Sequence, residues 1–101
     1  MCVQAMSEAD AIAYANSVIE RRREVIPEVD LLKLYAAMED NMTSAEVQEK
    51  ACGALGHAAY YNAANRIPIV SSGGLIAIFN AMDNHVGSSR VQVCPRARKY
   101  F

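Results

Sequence analysis

Val47-Gln48-Glu49-Lys50-Ala51-Cys52-Gly53-Ala54-Leu55-Gly56-His57-Ala58-Ala59 is the stretch on which the fold turns. Val47, Ala51, Ala54, Leu55, Ala58 and Ala59 recur at helical spacing, so they share one side of a helix. Most of them are small, which lets neighbouring helices approach closely and argues against an open pocket. The leading Val-Gln pair also stands at residues 3–4 and at 91–92, a constant separation of 44 residues. A fixed period of that length marks a helical repeat array. The same register pairs Leu31 with Leu75, Leu34 with Ile78, Tyr35 with Phe79, Ala37 with Ala81, Met38 with Met82 and Ser44 with Ser88.

Working outward, residues 7–24 read as an amphipathic helix. Ser7 is its N-cap, Glu8 and Asp10 suit the positive start, Arg21, Arg22 and Arg23 suit the negative end, and Ala11, Ile12, Ala15, Val18 and Ile19 form its apolar stripe. A second helix is expected from Pro27, in its first turn, to Asp40, with Leu31, Leu34, Tyr35 and Met38 on one face. Thr43-Ser44-Ala45-Glu46 has the order of a capping box, with Thr43 as the cap of a third helix reaching Tyr61. Residues 62–70 form a short helical segment bent at Pro68, Ser71-Ser72-Gly73-Gly74 breaks it, and Leu75, Ile78, Phe79 and Met82 carry the stripe of a further helix. The third helix of that last unit starts at Ser88, Val91 and Gln92, but Pro95 stands where Ala51 stood and costs such a helix about 3 kcal/mol. The repeat is abandoned there, as a divergent cap, a basic tail or an altered boundary.

Composition bounds the answer further. The chain has 101 residues, 52% of them hydrophobic and 21% charged, which is the balance of a single small globular domain rather than a disordered one. No apolar run approaches the roughly 20 residues of a membrane span, and no signal peptide is visible, so an intracellular place, cytoplasmic or nuclear, is expected. Cys2, Cys52 and Cys94 are odd in number and lack ligand spacing, which suggests neither a disulfide framework nor a zinc site. Residues 1–50 carry ten acids against five bases, whereas residues 51–101 carry one acid, Asp83, against five bases. In a repeat array sequence order is spatial order, so opposite ends would carry opposite charge.

Val47 to Ala59, followed by Asn62-Ala63-Ala64-Asn65-Arg66-Ile67-Pro68-Ile69-Val70-Ser71-Ser72-Gly73-Gly74-Leu75, resembles the armadillo repeat family, from about residue 43 to 92. The resemblance implies an all-α fold, a short, incomplete armadillo-like superhelix: a partial repeat over about 1–23, a full one over 24–61, a partial one over 62–94 and a divergent basic tail at 95–101. It also implies that the chain holds another polypeptide rather than doing chemistry. In members that bind extended peptides, the third helix carries a tryptophan and, four residues later, an asparagine. Those positions fall here on Gly53 and His57, and the chain contains no tryptophan.

No nucleophile elbow, phosphate loop or dinucleotide fingerprint is present, and neither His57 nor His85 has a ligand-forming neighbour three or four residues away. No enzymatic activity, cofactor or metal is therefore expected. The expected function is a protein-binding scaffold or small accessory subunit. Gln48, Cys52, His57, Tyr60 and Tyr61 on the third helix, Phe79 on the last stripe, and Arg96, Arg98 and Tyr100 in the tail are its candidate contacts. Cys52 also reads as a small buried hydrophobe within the stripe, and His57 as an ordinary exposed histidine. The face around Ile76, Phe79 and Met82 would be left uncovered, for a protein partner or a second copy of the chain to occupy. The alternative is a nucleic-acid-associated module using the basic tail, which the overall charge disfavours.

Overall fold

The computed structural model describes residues 6–88 and 91. Among these the chain is all-α: α1 (Glu8–Glu20), α2 (Glu28–Asp40), α3 (Ala45–Tyr61), a 3-10 turn (Ala63–Asn65), α4 (Arg66–Ser71) and α5 (Gly74–Asn84). No strand interrupts them. Residues 1–5, the break at Pro95 and the tail lie outside the described residues.

Each helix begins where side-chain chemistry permits. Ser7 Oγ accepts the Asp10 N–H at 3.2 Å and starts α1, as its sequence predicts. That helix ends at Glu20, earlier than expected. The Arg22 N–H turns back to Ile19 O and the Glu24 N–H to Arg21 O, so the three arginines sit on a tight turn after the helix. Pro27 is the N-cap of α2 rather than a residue of its first turn: its ψ of 148° is extended, and its carbonyl accepts from Asp30 and Leu31. The start of α3 also shifts by one residue. Ser44 Oγ, not Thr43, accepts the Val47 N–H, because a turn closed by the Ser44 N–H on Asn41 O carries Thr43 out to solvent. Pro68 stands third in α4, where its missing N–H would have had no helical partner.

The main core joins the helices, built from Val18, Leu31, Leu34, Met38, Leu55, Ile69 and Ile78 with a bed of alanines, and a smaller cluster gathers Ala11, Ala37 and Val47. α1 and α3 make the broadest helix contact, and half of their buried residues are alanines: Ala11, Ala15, Ala51, Ala54, Ala58 and Ala59. Side chains of one carbon keep little volume between the axes and lose no rotamer freedom on burial. α5 lies against α2 and α4 and touches α3 less.

The 44-residue period survives as repeated hydrogen bonding. After α2, the Asn41 N–H reaches Met38 O at 3.3 Å, the Ser44 N–H reaches Asn41 O at 2.9 Å, and the Val47 N–H reaches Ser44 Oγ at 3.3 Å. After α5, the His85 N–H reaches Met82 O at 3.3 Å, the Ser88 N–H reaches His85 O at 2.9 Å, and the Val91 N–H reaches Ser88 Oγ at 3.4 Å. Val47 and Val91 are both buried. Ile78 and Ala81 are buried like their counterparts Leu34 and Ala37, whereas Leu75 and Met82 are only half-buried where Leu31 and Met38 are sealed. The uncovered stripe expected at the end of the repeat is therefore Ile76, 66% exposed, and Phe79, 42% exposed, with Met82 drawn partly into the core instead.

Candidate partner-binding surface

An open concavity of about 440 Å³ lies between α2 and α5. Tyr35, Met38, Glu39 and Met42 line it from α2 and the turn beyond, while Ser72, Gly73, Ile76, Ala77, Asn80 and Asn84 line it from the other side. Its geometry starts from the Ser72-Gly73 turn. Gly73 has φ of 102°, a left-handed conformation that favours glycine, and this reverses the chain between α4 and α5. Gly74 then comes so close to α4 that a Cβ there would stand 2.7 Å from the Ile69 carbonyl oxygen. This close approach brings the Ser72 hydroxyl to 2.8 Å from the Tyr35 hydroxyl, and Ser72 Oγ also donates to Ile69 O at 3.2 Å. Tyr35 thus has its tip tied down and its ring forming one wall. Burial pushes the Tyr35 phenol above its ordinary range, with a smaller push from Glu28, while the Ser72 hydrogen bond opposes both. It stays a neutral hydroxyl at physiological pH. At the far end, His85 Nε2 bonds Met42 O and ties the two equivalent turns together.

An apolar groove with a few convergent polar groups is the usual form of a recognition site. Met42, Ile76 and Ala77 supply the apolar wall, Asn80, Ser72 and Tyr35 the polar atoms, and Glu39 a carboxylate at the rim. Methionine adapts its shape to irregular ligands. Among the described residues no three of His, Cys, Asp and Glu come together as a metal site, and no helix is long and apolar enough to cross a membrane.

The candidate contacts named from the sequence separate into three sets. Gln48 and Cys52 are 0% and 1% exposed, so neither has surface to offer a partner. Both sit at the edge of the α3 stripe, and the packing seals that edge. Gln48 serves the fold instead: its Nε2 donates to Met38 O and Asn41 O, both at 2.9 Å, and so caps the C-terminus of α2. His57, Tyr60, Tyr61 and Phe79 are exposed. Arg96, Arg98 and Tyr100 lie outside the described residues, and with them the nucleic-acid alternative. Sequence reasoning missed the α2 side of the groove. The Leu31, Tyr35 and Met38 spacing announces a buried face but not that its edge stays open beside α5.

His57, Tyr60 and Tyr61 gather with Arg22 and Arg23 at the other surface of interest. The Tyr60 and Tyr61 rings meet edge to face at 4.9 Å between centroids, and His57 meets Tyr61 edge to face at 6.1 Å. Both guanidinium carbons lie 5.0 Å from the Tyr61 centroid, within cation–π range. The His57 imidazole is held below its ordinary value of 6.5 by partial burial first and by the Arg22 charge second. Arg22→Gln should therefore raise the His57 midpoint without returning it fully to 6.5, read from its ring-proton shifts during an NMR titration. Because folding disfavours the charged imidazole, its contribution to stability is complete above about pH 6.5 and declines as pH falls through the lower folded midpoint.

No protein-family model, curated protein or solved structure matches this chain.

Proposed function

We propose that this chain is a non-enzymatic, armadillo-like scaffold or small accessory subunit, working inside the cell, that holds another polypeptide, or a second copy of itself, in the groove between α2 and α5. The observation that carries this reading is the groove itself. It is open and walled by Met42, Ile76 and Ala77, and Phe79, three residues beyond Ile76 on the same helix, is exposed as well. The recurring turn geometry 44 residues apart supports the repeat character of the scaffold. The polar side chains in the interior fit the same reading, since Gln48 and Asn65 direct their amide donors to backbone carbonyls that hold helices together.

The test is cross-linking in native extract with wild-type chain and with Ile76→Asp. Residue 76 is exposed, so folding stability should change by no more than about 0.5 kcal/mol. Partners cross-linked near α5 should be lost from the variant. Equal recovery of the same partners by both chains would defeat the reading. Recovery of nucleic acid instead, steeply salt-dependent and abolished by deleting residues 95–101, would favour the alternative.

A further inference from the structure

The Arg22, Arg23 and Tyr61 cluster shares no residue with the α2–α5 groove, and it has a chemistry of its own. Arg21, the first of the three arginines, is already used: its Nη1 and Nη2 lie 3.1 and 3.2 Å from Asp30 Oδ2. Among the described residues neither Arg22 nor Arg23 makes an ion pair. Glu20 and Glu24 flank them along the chain, both exposed, but hold neither guanidinium. The lowered His57 midpoint agrees with this, because an Arg22 charge cancelled by a carboxylate would repel an imidazolium less.

The cluster is also held in place before any ligand arrives. Arg22 Nη1 donates to Ile19 O at 3.1 Å, and Asn62 Nδ2 donates to Arg23 O at 3.1 Å. Asn65 fixes the following residues by accepting from the Ile26 N–H and donating to Glu24 O. The turn bearing both arginines is thus clamped to the C-terminal end of α3, where Tyr60 and Tyr61 present their rings. Ordering side chains costs about 0.5–1.5 kcal/mol each on association, and here much of that ordering precedes binding. Arginine and tyrosine are moreover the residues in which the energetic centres of protein interfaces are enriched.

We infer that the Arg22, Arg23 and Tyr61 cluster is a second docking point, for an acidic segment of a protein partner whose carboxylates take the two guanidinium forks held over the Tyr61 ring. Charge decides between a polypeptide and a nucleic acid. A phosphate backbone needs a track of cations, whereas this patch offers two, Arg22 and Arg23. A short pair of carboxylates matches two forks and needs nothing beyond them.

The experiment titrates the isotope-labelled chain with an unphosphorylated synthetic peptide rich in Asp and Glu, observed by NMR. The His57 and Tyr61 ring signals should shift, and affinity should fall with added salt. The Arg22→Gln/Arg23→Gln chain should bind about tenfold more weakly, the sum of two exposed charge pairs, while Ile76→Asp should bind within twofold of wild type. If the double variant unfolds, Arg23→Gln alone, altering an exposed side chain, should still lose about threefold. The inference is overturned if the peptide leaves those signals unmoved, if the arginine variants bind it as tightly as wild type, or if a single-stranded oligonucleotide occupies the patch more tightly than the peptide. None of these outcomes bears on partner loss by Ile76→Asp, so the groove reading stands or falls separately.

Discussion

Asn65→Leu is expected to destabilise the fold by about 3 kcal/mol at this fully buried site, although leucine has the same branched side-chain shape and number of heavy atoms. Asn65 is a three-way junction. Its Oδ1 accepts the Ile26 N–H at 2.8 Å, and its Nδ2 donates to Glu24 O at 2.9 Å and to Ala58 O at 3.1 Å. Leucine leaves the Ile26 N–H and the Glu24 carbonyl without these partners. Ala58 O suffers less, because the Asn62 N–H still reaches it at 3.2 Å. A buried polar group deprived of its partner costs about 1–3 kcal/mol, so two such losses dominate any gain from the added apolar contact. Asn65→Asp retains an acceptor for Ile26 but loses both donors, and its carboxylate would face carbonyl oxygens, so it too should be destabilised. Urea denaturation of the three chains checks the ranking. A leucine variant within 1 kcal/mol of wild type would show that the segment joining α1 to α2 is held by other contacts.

Gly74→Ala is the other large effect, at about 3 kcal/mol, the upper end of what overpacking costs. A methyl group there would stand 2.7 Å from the Ile69 carbonyl oxygen and 2.9 Å from the Tyr35 hydroxyl, and it would also press on the Ile69 side chain. The Tyr35 tip can turn aside, but the carbonyl belongs to the α4 backbone and cannot yield without moving the helix. Gly73→Ala meets no neighbouring atom and suffers only from its left-handed φ of 102°, which costs about 1–2 kcal/mol. Thermal melts should therefore rank wild type above Gly73→Ala and Gly73→Ala above Gly74→Ala. Because the Gly74 contact also sets where Tyr35 and Ser72 meet, Gly74→Ala should loosen the groove, seen as faster exchange of the α5 amides. Equal stability of Gly74→Ala and wild type would mean that α4 and α5 sit farther apart than described.

The helices were legible because their causes are local. A hydroxyl at Ser7, a 3.6-residue stripe through Leu31, Leu34 and Met38, and a Gly-Gly pair after Ser72 each act within one or two turns of chain, and the 44-residue period places equivalent turns without any knowledge of the fold. Where two local solutions were equally good, the capping-box order pointed to the wrong residue. Thr43 and Ser44 both carry a cap hydroxyl, and only the turn closed on Asn41 O selected Ser44. The repeat itself held the hint, since the counterpart of Ser44 is Ser88, whereas that of Thr43 is Gly87, which has no hydroxyl.

Exposure along α3 belongs to the other kind. Gln48 and Cys52 stand at the margin of its stripe, and helical spacing says which residues share a face but not how far a neighbouring helix reaches around it. Likewise Arg22 meets Tyr61 across 39 residues of sequence, and Asn65, which by itself reads as an ordinary turn former, closes the gap between Glu24, Ile26 and Ala58. The sequence by itself determined which stretches become helices and, to within a few residues, where they begin, because those events depend on backbone torsions and hydrogen bonds between residues a few positions apart. Only the tertiary structure decided which faces are sealed, where the groove opens and which cations gather on one aromatic ring, because these depend on the simultaneous packing of segments distant in the chain.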